Sequence, residues 1–384
     1  MNIGISTSVV QRGRSGVAQY VFALLRALRP AANEHRFTLF VLEEDRPLFA
    51  FASDYMEIVR VPERYRPPVA DIAWHQTQLP SLCARLGLDV IHVPSYRRMM
   101  WQAPCARVST IHDLAAFHVS GKYDLARMFY GRVVARQLAR RQEGIIAVSR
   151  TTAGDLERFF QLGPDKVTVI ANGLDHDRFR TAPAAQASAW AESHGVNRPF
   201  FLYVSRLEHP AKNHVRLIEA FNRFKAATKS DWQLVLGGSD WHGAEVIHRK
   251  VDESPYVADI RRLGFVKDAD LPRWYQSAGA FVYPSLFEGF GFPPLEAMAC
   301  GCPVACSPRG ALAETVGEAA AIFDPEDLDG LQWELTRLAT DGEWRATLRA
   351  VGLKHAANYQ WTKTAQATVG AYARAAEIVG CAAP

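Results

Sequence analysis

The stretch Glu288-Gly-Phe-Gly-Phe-Pro-Pro-Leu-Glu296 places two acids around a glycine-bracketed turn that opens a helix behind consecutive prolines. Glycines let the backbone come close to a ligand, and prolines preset the first helical turn. We expect the free N–H groups around Gly291 and Leu295 to face an anion, and a diphosphate is well matched to such a helix start. Glu288 is predicted on the loop and Glu296 in the first helical turn, where carboxylates accept hydrogen bonds from sugar or ribose hydroxyls. The alternative is an ordinary strand-loop-helix junction with surface acids.

The rest of the chain alternates short apolar runs with amphipathic stretches, which is the pattern of parallel strands joined by crossover helices. The predicted strands are Ile3–Ile5, Phe37–Leu42, Val90–Val93, Arg107–Ile111, Ile145–Val148 and Val167–Ile170, then Phe200–Val204, Gln233–Leu236, Arg261–Phe265, Ala280–Tyr283, Val304–Cys306 and Ala321–Phe323. The periodicity lapses between Asn172 and Pro199. The sequence therefore predicts an α/β protein with two open sheets, and ligands bind beyond the carboxyl ends of strands in such sheets.

The composition is that of a globular protein, with 48% hydrophobic residues and a formal net charge of +4. No apolar run is long enough to span a membrane, and the first residues lack the features of a signal peptide, so we expect a cytoplasmic location. Three of the six cysteines, Cys300, Cys302 and Cys306, lie close together. No further ligand nearby completes a zinc site, so we interpret them as core residues.

Much of the basic excess lies in one predicted helix, Lys122 to Arg141, with arginines on one face and apolar residues on the other. The arginines are Arg132, Arg136 and Arg140, and the apolar residues are Leu125, Met128, Phe129 and Val133. This pattern fits peripheral contact with an anionic membrane, although a solvated domain face is the favoured alternative. No nucleic-acid-binding motif accompanies the charge, so we expect no nucleic-acid partner.

The first predicted strand leads into a loop that ends Gly13-Arg14-Ser15-Gly16, directly before a helix. This is the outline of a phosphate site, but Gly-x-Gly-x-x-Gly, the dinucleotide fingerprint, is missing. We expect the helix start at Ser15 and Gly16 to approach a phosphate from the opposite domain, with a structural turn as the alternative. Glu43 and Glu44 end the second strand, where an oxidoreductase carries a ribose-binding acid, and they are weak evidence for a nicotinamide enzyme.

Polar residues also follow three later strands. His112 comes directly after Arg107–Ile111, so its side chain should emerge at the carboxyl edge and can hydrogen-bond a substrate hydroxyl. Arg206 ends a strand and Lys212 precedes the next helix, so two cations bracket one loop. The arginine fork suits two phosphate oxygens and the lysine adds a compact charge, whereas isolated surface cations are usually just solvated. The backbone at Val266, after another strand, is a candidate contact for a nucleobase edge.

Taken together, these segments resemble the family-four group of GT-B glycosyltransferases, which transfer a sugar from a nucleotide donor with retention of anomeric configuration. The carriers of the resemblance span nearly the whole chain: Gly13–Gly16, His112-Asp113, Val148-Ser149-Arg150, Asn172-Gly173 with Asp175 and Phe179, Ser205-Arg206-Leu207, Lys212-Asn213, Gly264-Phe265-Val266 and above all Glu288 through Glu296. The resemblance implies two Rossmann-like doubly wound domains facing across a cleft, with a C-terminal helix that crosses back. It places the acceptor-side domain at 1–178, completed by 362–384, and the donor-side domain at 179–361.

The resemblance also implies roles for the site residues. Glu288 would contact hydroxyls of the donor sugar and Glu296 the ribose, while His112 would approach the sugar from the first domain. Arg206 and Lys212 would meet the diphosphate. Further donor-binding residues are expected at Gly16, Ser15, Ser205, Val266, Gly289, Phe290, Gly291 and Leu295. Two positions depart from the family pattern, because Ser15 replaces one of two paired glycines and Ser205 replaces a glycine before the arginine.

The chemistry can be stated physically. Cleavage of the bond between sugar and diphosphate leaves negative charge on the phosphate, so cations placed there beforehand lower the barrier. With Arg206 and Lys212 in that position, we expect no metal and no other cofactor. Retention in this group is ascribed to attack on the face from which the phosphate departs, so we name no protein nucleophile.

The partners implied are a nucleotide-sugar donor and a saccharide or lipid-linked acceptor in polysaccharide synthesis. GDP-mannose is the favoured donor, with a UDP-hexose close behind. One alternative is a sugar-nucleotide epimerase of the same two-domain build, which would turn over donor without acceptor. A nicotinamide oxidoreductase is disfavoured by the missing fingerprint. A non-catalytic subunit is disfavoured because Arg206, Lys212 and Glu288 are all present.

Overall fold

The computed structural model describes residues 1–13, 15–118 and 130–382. Contacts between Cα atoms divide the chain into two compact units: unit 1 is Met1–Gly173 with Gln360–Pro384, and unit 2 is Leu174–Tyr359. Arg14, residues 122–129 of the predicted basic helix and residues 383–384 lie outside the described residues.

Unit 1 is built on seven parallel strands in the order β3-β2-β1-β4-β5-β6-β7. Their bounds are β1 Asn2–Ser6, β2 Arg36–Leu42, β3 Glu57–Val61, β4 Val90–Val93, β5 Ala106–Ile111, β6 Gly144–Ala147 and β7 Val167–Val169. Strands are added on both sides of β1, which is the doubly wound arrangement. Every strand except β3 lies on a predicted strand, and β3 is an edge strand that the sequence analysis missed.

The helices of unit 1 connect these strands. They are α1 Gly16–Ala27, α2 Pro68–Arg85, α3 Arg136–Arg141, α4 Arg150–Asp155 and a final helix, Trp361–Ala382. Shorter 3-10 turns are Ser8–Gly13, Arg29–Asn33, Glu43–Ala52, Glu63–Tyr65, Tyr96–Arg98 and Ala115–Phe117, and π-helical turns are Tyr130–Ala135 and Leu156–Phe160.

The final helix packs on the sheet of unit 1, which confirms that the chain crosses back after unit 2. Ala365, Tyr372 and Ala375 join the core that contains Val108 and Ile146. A hydrogen bond of 2.7 Å joins the hydroxyl of Tyr372 to Nδ1 of His92 on β4. The helix therefore closes one face of a sheet built from the start of the chain.

The described part of the predicted basic helix differs from the expectation. Residues 130–135 form a π-helical turn rather than α-helix, and Val133, predicted on the apolar side, is 46% exposed. Arg136 and Arg140 both donate to the side-chain oxygen of Gln161 instead of presenting a free basic face. Within the part of the chain that the structure covers, no helix is long and apolar enough to cross a bilayer.

Unit 2 contains six parallel strands in the order β10-β9-β8-β11-β12-β13. Their bounds are β8 Phe200–Val204, β9 Gln233–Gly237, β10 Ile260–Gly264, β11 Ala280–Tyr283, β12 Val304–Cys306 and β13 Ala321–Ile322. The helices are α5 Ala184–Ser193, α6 His214–Thr228, α7 Ala244–Asp252, α8 Leu271–Ser277, α9 Phe292–Ala299, α10 Leu312–Val316, α11 Leu328–Thr340 and α12 Gly342–Ala356, with 3-10 turns at Val257–Asp259 and Gly317–Ala319. The prediction of two Rossmann-like α/β units is confirmed.

Apolar side chains fill the centre of the second sheet on both faces. Phe201 and Leu202 on β8 and Phe281 and Val282 on β11 are fully buried, which is why these strands read as continuous apolar runs. The three clustered cysteines are also buried, as expected of core residues. The order of the sheet puts the ends of β8 and β11 side by side, and the loops that leave those ends carry the predicted site residues.

Candidate functional site

Glu288 lies in the loop between β11 and α9, and its side chain is 18% exposed. Its Oε1 accepts three hydrogen bonds, from Nζ of Lys212 at 2.5 Å, the hydroxyl of Tyr283 at 2.9 Å and Oγ of Ser285 at 2.7 Å. Burial by itself would raise the pKa of Glu288, but the Lys212 ammonium and the other donors hold that pKa below its ordinary value. The carboxylate is therefore ionised, and within the described residues its Oε2 accepts no hydrogen bond.

Two glycines hold the loop that carries Glu288. The N–H of Ala311 donates to the carbonyl of Glu288 at 2.8 Å. Next to it, Gly310 has a φ of +65°, and a Cβ there would lie 2.3 Å from the same carbonyl oxygen. Gly291 has a φ of +112° and caps α9, and a Cβ there would lie 2.8 Å from Cδ2 of Leu312. Both positions need glycine, because L side chains avoid positive φ and the space is already filled.

The start of α9 corrects two expectations. The helix begins at Phe292, so Glu296 lies in its second turn, and the prediction of a first-turn position is wrong. The two prolines of the first turn have no N–H, so this helix start offers a ligand fewer backbone donors than most. Glu296 accepts a hydrogen bond of 3.0 Å from the hydroxyl of Tyr275. Burial raises the pKa of Glu296 to about 7, although Tyr275 and Arg178 oppose the shift.

The remaining residues of this segment belong mostly to the interior. Leu295 is fully buried, and Phe290 packs against the rings of Phe292 and Tyr359. Gly289 is also buried. Contacts from Gly289, Phe290 and Leu295 to a ligand would therefore have to come from the backbone rather than from their side chains.

Arg206 follows β8, and its side chain is 50% exposed. Its Nη2 donates to Oε2 of Glu208 at 2.9 Å, and its guanidinium carbon lies 5.0 Å from the ring centroid of Trp241. The structure thus brings Lys212 and Glu288 together, whereas no ion pair between Arg206 and Glu288 occurs among the residues it describes. The sequence analysis missed both partners of Arg206. Trp241 comes from the loop after the next strand, and nothing in the sequence pairs the two loops, whereas Glu208 lies two residues from Arg206 and its side-chain direction depends on the folded loop.

Ser205 and Val266 lie where three neighbouring strands end. The N–H of Ser205 donates to the carbonyl of Gly237 at 2.9 Å. A Cβ on Gly238 would lie 1.8 Å from the carbonyl oxygen of Ser205, and a Cβ on Gly237 would lie 2.8 Å from Cγ2 of Val266. Glycines therefore let the ends of β8, β9 and β10 pack closely, and this brings Ser205 and Val266 to one edge of the sheet.

In unit 1 the helix that follows the first loop contacts His112 at the carboxyl edge of the sheet. Oγ of Ser15 accepts from the N–H of Ala18 at 3.1 Å, so this hydroxyl caps α1. A Cβ on Gly16 would meet no atom within 4 Å. Tyr20, one turn further along α1, packs edge-on against His112 with ring centroids 4.7 Å apart.

His112 and Ser8 carry polar atoms that find no partner among the described residues. Burial lowers the pKa of His112 to about 4, so the ring is neutral, and its buried Nε2 makes no hydrogen bond. The hydroxyl of Ser8, in the turn after β1, is likewise buried and unpaired. Buried polar atoms are usually satisfied, so two exceptions at the carboxyl ends of β1 and β5 mark a place for a ligand or water. The sequence analysis missed Ser8, because a serine in a loop does not by itself indicate a ligand site.

Acids elsewhere in the chain bear on two alternatives, a nicotinamide site and a metal site. Glu43 pairs with Arg60 and Glu44 with Arg12, so the weak evidence for a nicotinamide enzyme is better explained by surface ion pairs. The chain also contains three Asp-x-Asp sequences, Asp175-His-Asp177, Asp268-Ala-Asp270 and Asp327-Leu-Asp329. No group of three or more potential metal ligands forms in the residues that the structure covers.

Two family models match the chain. Residues 14–178 match the model "Glycosyltransferase Family 4", and residues 186–355 match "Glycosyl transferases group 1".

The curated relatives include two mannosyltransferases from Escherichia coli. The chain is 31% identical over 265 residues to "O-antigen chain mannosyltransferase B", covering 69% of either protein. It is 24% identical over 399 residues to "Serotype-specific mannosyltransferase WbdA", covering 94% of this chain and 46% of that protein. The chain thus spans less than half the length of WbdA.

Among solved structures, sucrose-phosphate synthase from Thermosynechococcus elongatus superposes with a TM-score of 0.79 at 20% identity, covering 100% of both chains. At that identity the likeness shows the GT-B fold alone.

Proposed function

Because the chain belongs to the family-four, group 1 type of GT-B glycosyltransferases, we propose that it is a retaining hexosyltransferase. It moves a hexose from a nucleoside diphosphate sugar to a saccharide or lipid-linked saccharide in polysaccharide or glycan synthesis. One observation carries this proposal: Glu288 is ionised and tied to Lys212, and its Oε2 has no donor among the described residues. Such an oxygen is suited to accept a hydrogen bond from a sugar hydroxyl.

A mannose donor is the favoured choice within this proposal. Two relatives are mannosyltransferases by name, so GDP-mannose is the first donor to test and a UDP-hexose the second.

The charges at the site support the proposed chemistry. Lys212 and Arg206 supply positive charge at the carboxyl edge of unit 2, where the departing diphosphate would gain negative charge. Glu296 would accept from the ribose, and the neutral ring of His112 would hydrogen-bond the donor sugar. In the retaining mechanism we propose, the acceptor attacks the face from which the phosphate leaves, and the phosphate takes the acceptor's proton.

The test is transfer by the wild type compared with Arg206→Ala, Lys212→Ala and Glu288→Ala. Loss of a charge placed at the developing charge should cost about 3 kcal/mol or more, on the order of a hundredfold in rate or greater. Arg223→Ala is a matched control, because Arg223 is an exposed, ion-paired arginine on α6 of the same unit. Unchanged rates in all three site variants would defeat the site assignment.

Metal independence is a separate part of the proposal, since the two cations provide the charge that a metal would otherwise supply. Transfer should survive EDTA unchanged. A loss that Mg²⁺ or Mn²⁺ restores would instead point to one of the three Asp-x-Asp sequences.

The proposal also includes a cytoplasmic enzyme in peripheral contact with an anionic membrane through residues 122–141. In the described part of that segment, Arg141 lies 3.7 Å from the ring centroid of Trp101, and this ring and Val133 are both exposed. Flotation with vesicles should show binding that grows with the fraction of anionic lipid. Binding that ignores lipid charge, or no binding, would remove this part of the proposal and leave the transferase proposal intact.

A further inference from the structure

Arg206 is held from two sides by residues that have no part in the proposed donor site. The buried carboxylate of Glu208, 5% exposed, accepts from Nη2 of the guanidinium at 2.9 Å. On the other side lies the ring of Trp241, which is 58% exposed, with its centroid 5.0 Å from the guanidinium carbon. No other hydrogen bond of this guanidinium occurs among the described residues, so most of its N–H donors are uncommitted.

The main chain fixes the position of Trp241 beside Arg206. Beyond β8 and β9, Leu207 and Asp240 form an isolated parallel bridge. The N–H of Leu207 donates to the carbonyl of Ser239 at 2.9 Å, and the N–H of Trp241 donates back to the carbonyl of Leu207 at 3.1 Å. The two loops therefore run side by side past the end of the sheet. Arg206 precedes one partner of the bridge and Trp241 follows the other. These backbone hydrogen bonds therefore place the ring of Trp241 beside the guanidinium of Arg206.

Glu208 links the two cations of this loop. Its side chain holds Arg206, and its carbonyl accepts from the N–H of Lys212 at 3.1 Å. A buried carboxylate is costly unless it is paired, so Glu208 keeps the arginine beside it. One residue thus fixes both the direction of Arg206 and the turn that leads to Lys212.

We propose that Trp241 and Glu208 are positioning residues that hold the guanidinium of Arg206 in the orientation in which it meets the donor's diphosphate. This inference rests on the proposed function. A free arginine side chain has many rotamers and loses them on binding, which weakens the complex. An aromatic face and a carboxylate restrict those rotamers beforehand and leave the outward N–H groups for phosphate oxygens.

A competing role for Trp241 is direct stacking on the nucleobase. The two roles differ in which ligand senses the loss of the ring. Stacking acts on the base, so its loss weakens nucleoside monophosphates and diphosphates equally. Positioning of Arg206 acts on the diphosphate, so its loss lowers the preference for the diphosphate over the monophosphate.

The experiment is calorimetric titration of GDP, GMP, UDP and UMP into the wild type, Trp241→Ala, Trp241→Phe and Trp333→Ala. Trp333 is a matched control: it is 59% exposed, lies on α11 of the same unit and has Arg337 over its ring at 5.4 Å. Trp241→Ala should weaken binding of the preferred diphosphate by roughly threefold to tenfold and lower its preference over the monophosphate. Trp241→Phe should restore most of that preference, and Trp333→Ala should change nothing.

A double-mutant cycle tests whether Trp241 acts through Arg206. In an Arg206→Ala background, Trp241→Ala should cause no further loss of diphosphate affinity. Equal weakening of monophosphate and diphosphate, or full additivity in the cycle, or no effect of Trp241→Ala, would each overturn the inference. If the wild type bound neither GDP nor UDP, the proposed function would fall and this inference with it. Normal diphosphate binding by Trp241→Ala would remove the inference alone.

Discussion

At the scale of single residues, two acids of one short segment have opposite electrostatic surroundings. Both Glu288 and Glu296 are largely buried, but only Glu288 has an ammonium within hydrogen-bonding distance, so its pKa is lowered and that of Glu296 is raised to about 7. The sequence predicted both acids and their segment. It could not predict this contrast, because the partner Lys212 comes from another loop.

The raised pKa of Glu296 predicts a pH-dependent cost to stability. Between its ordinary value of 4.5 and about 7, the folded protein keeps a proton that the unfolded chain releases, so stability falls as pH rises through this window. Glu296→Gln removes this penalty. In urea unfolding, the variant should gain about 1 to 3 kcal/mol at pH 8 and much less at pH 4.5. Equal gains at both pH values would show that burial of the charge is not the cause.

Gly16 offers a test in which fold and function give opposite results. A Cβ there meets open space and the residue begins α1, so Gly16→Ala should leave the melting temperature unchanged or slightly higher. If the backbone at this helix start approaches a phosphate, the added methyl group should weaken donor binding about tenfold or more. Full transfer activity in a normally folded Gly16→Ala protein would mean that Gly16 serves only as a structural turn.

The sequence predicted where the site residues lie, because the apolar runs show where each strand ends. Arg206, Glu288 and His112 each lie just beyond a predicted strand. Their partners did not follow: Trp241 and Tyr20 come from other segments of the chain, and the direction of the Glu208 side chain is set only in the folded loop. The roles of the site residues stay predictions.

At the scale of elements, the misses share a physical cause. Strand β3, Glu57–Val61, is an edge strand with charged residues at positions 57 and 60, so its apolar signal is weak even though it pairs with β2 along its whole length. The segment after residue 130 was predicted as part of one helix, but residues 130–135 form a π-helical turn before α3 begins at Arg136. In both cases tertiary packing overrides local periodicity.

The loop that carries Glu288 predicts a sharp glycine requirement. Gly310→Ala should destabilise the protein by about 2 kcal/mol or more and reduce transfer, because the new Cβ meets the Glu288 carbonyl and strains a positive φ. Gly380→Ala, in the final helix with open space around it, should be neutral or gain up to about 1 kcal/mol. Thermal unfolding and transfer rates check both. Equal stability of the two variants would refute the requirement.

At the scale of the whole molecule, the prediction of two doubly wound sheets with a returning helix is confirmed, because a strand-helix alternation that restarts near residue 200 is visible without any knowledge of packing. The returning helix itself was assigned to the first domain by resemblance. Its amphipathic pattern alone could not say which sheet it covers.

A buried hydrogen-bond network anchors the final helix, and we expect that breaking this network lowers stability. Tyr372 donates to or accepts from His92, which bonds Thr110 at 2.9 Å, and Thr110 bonds Tyr20 on α1 at 3.1 Å. Tyr372→Phe leaves a buried ring nitrogen of His92 unpaired and should lower the free energy of unfolding by about 1 to 3 kcal/mol. Lys363→Ala, exposed on the same helix, should change it by less than about 0.5 kcal/mol. Equal changes in the free energy of unfolding for the two variants would mean that the hydrogen-bond network contributes nothing to stability.

The returning helix has a consequence for biosynthesis. Its residues leave the ribosome only after all of unit 2, yet they cover Val108 and Ile146 in a sheet translated much earlier. Unit 2 is contiguous in sequence, so it can fold as soon as its last strand is synthesised. Until the final helix is made, the sheet of unit 1 has one apolar face exposed to solvent. Chaperones that shield such faces during translation would act on the opening half of this polypeptide, and a prematurely stopped chain would be left with that half unfinished.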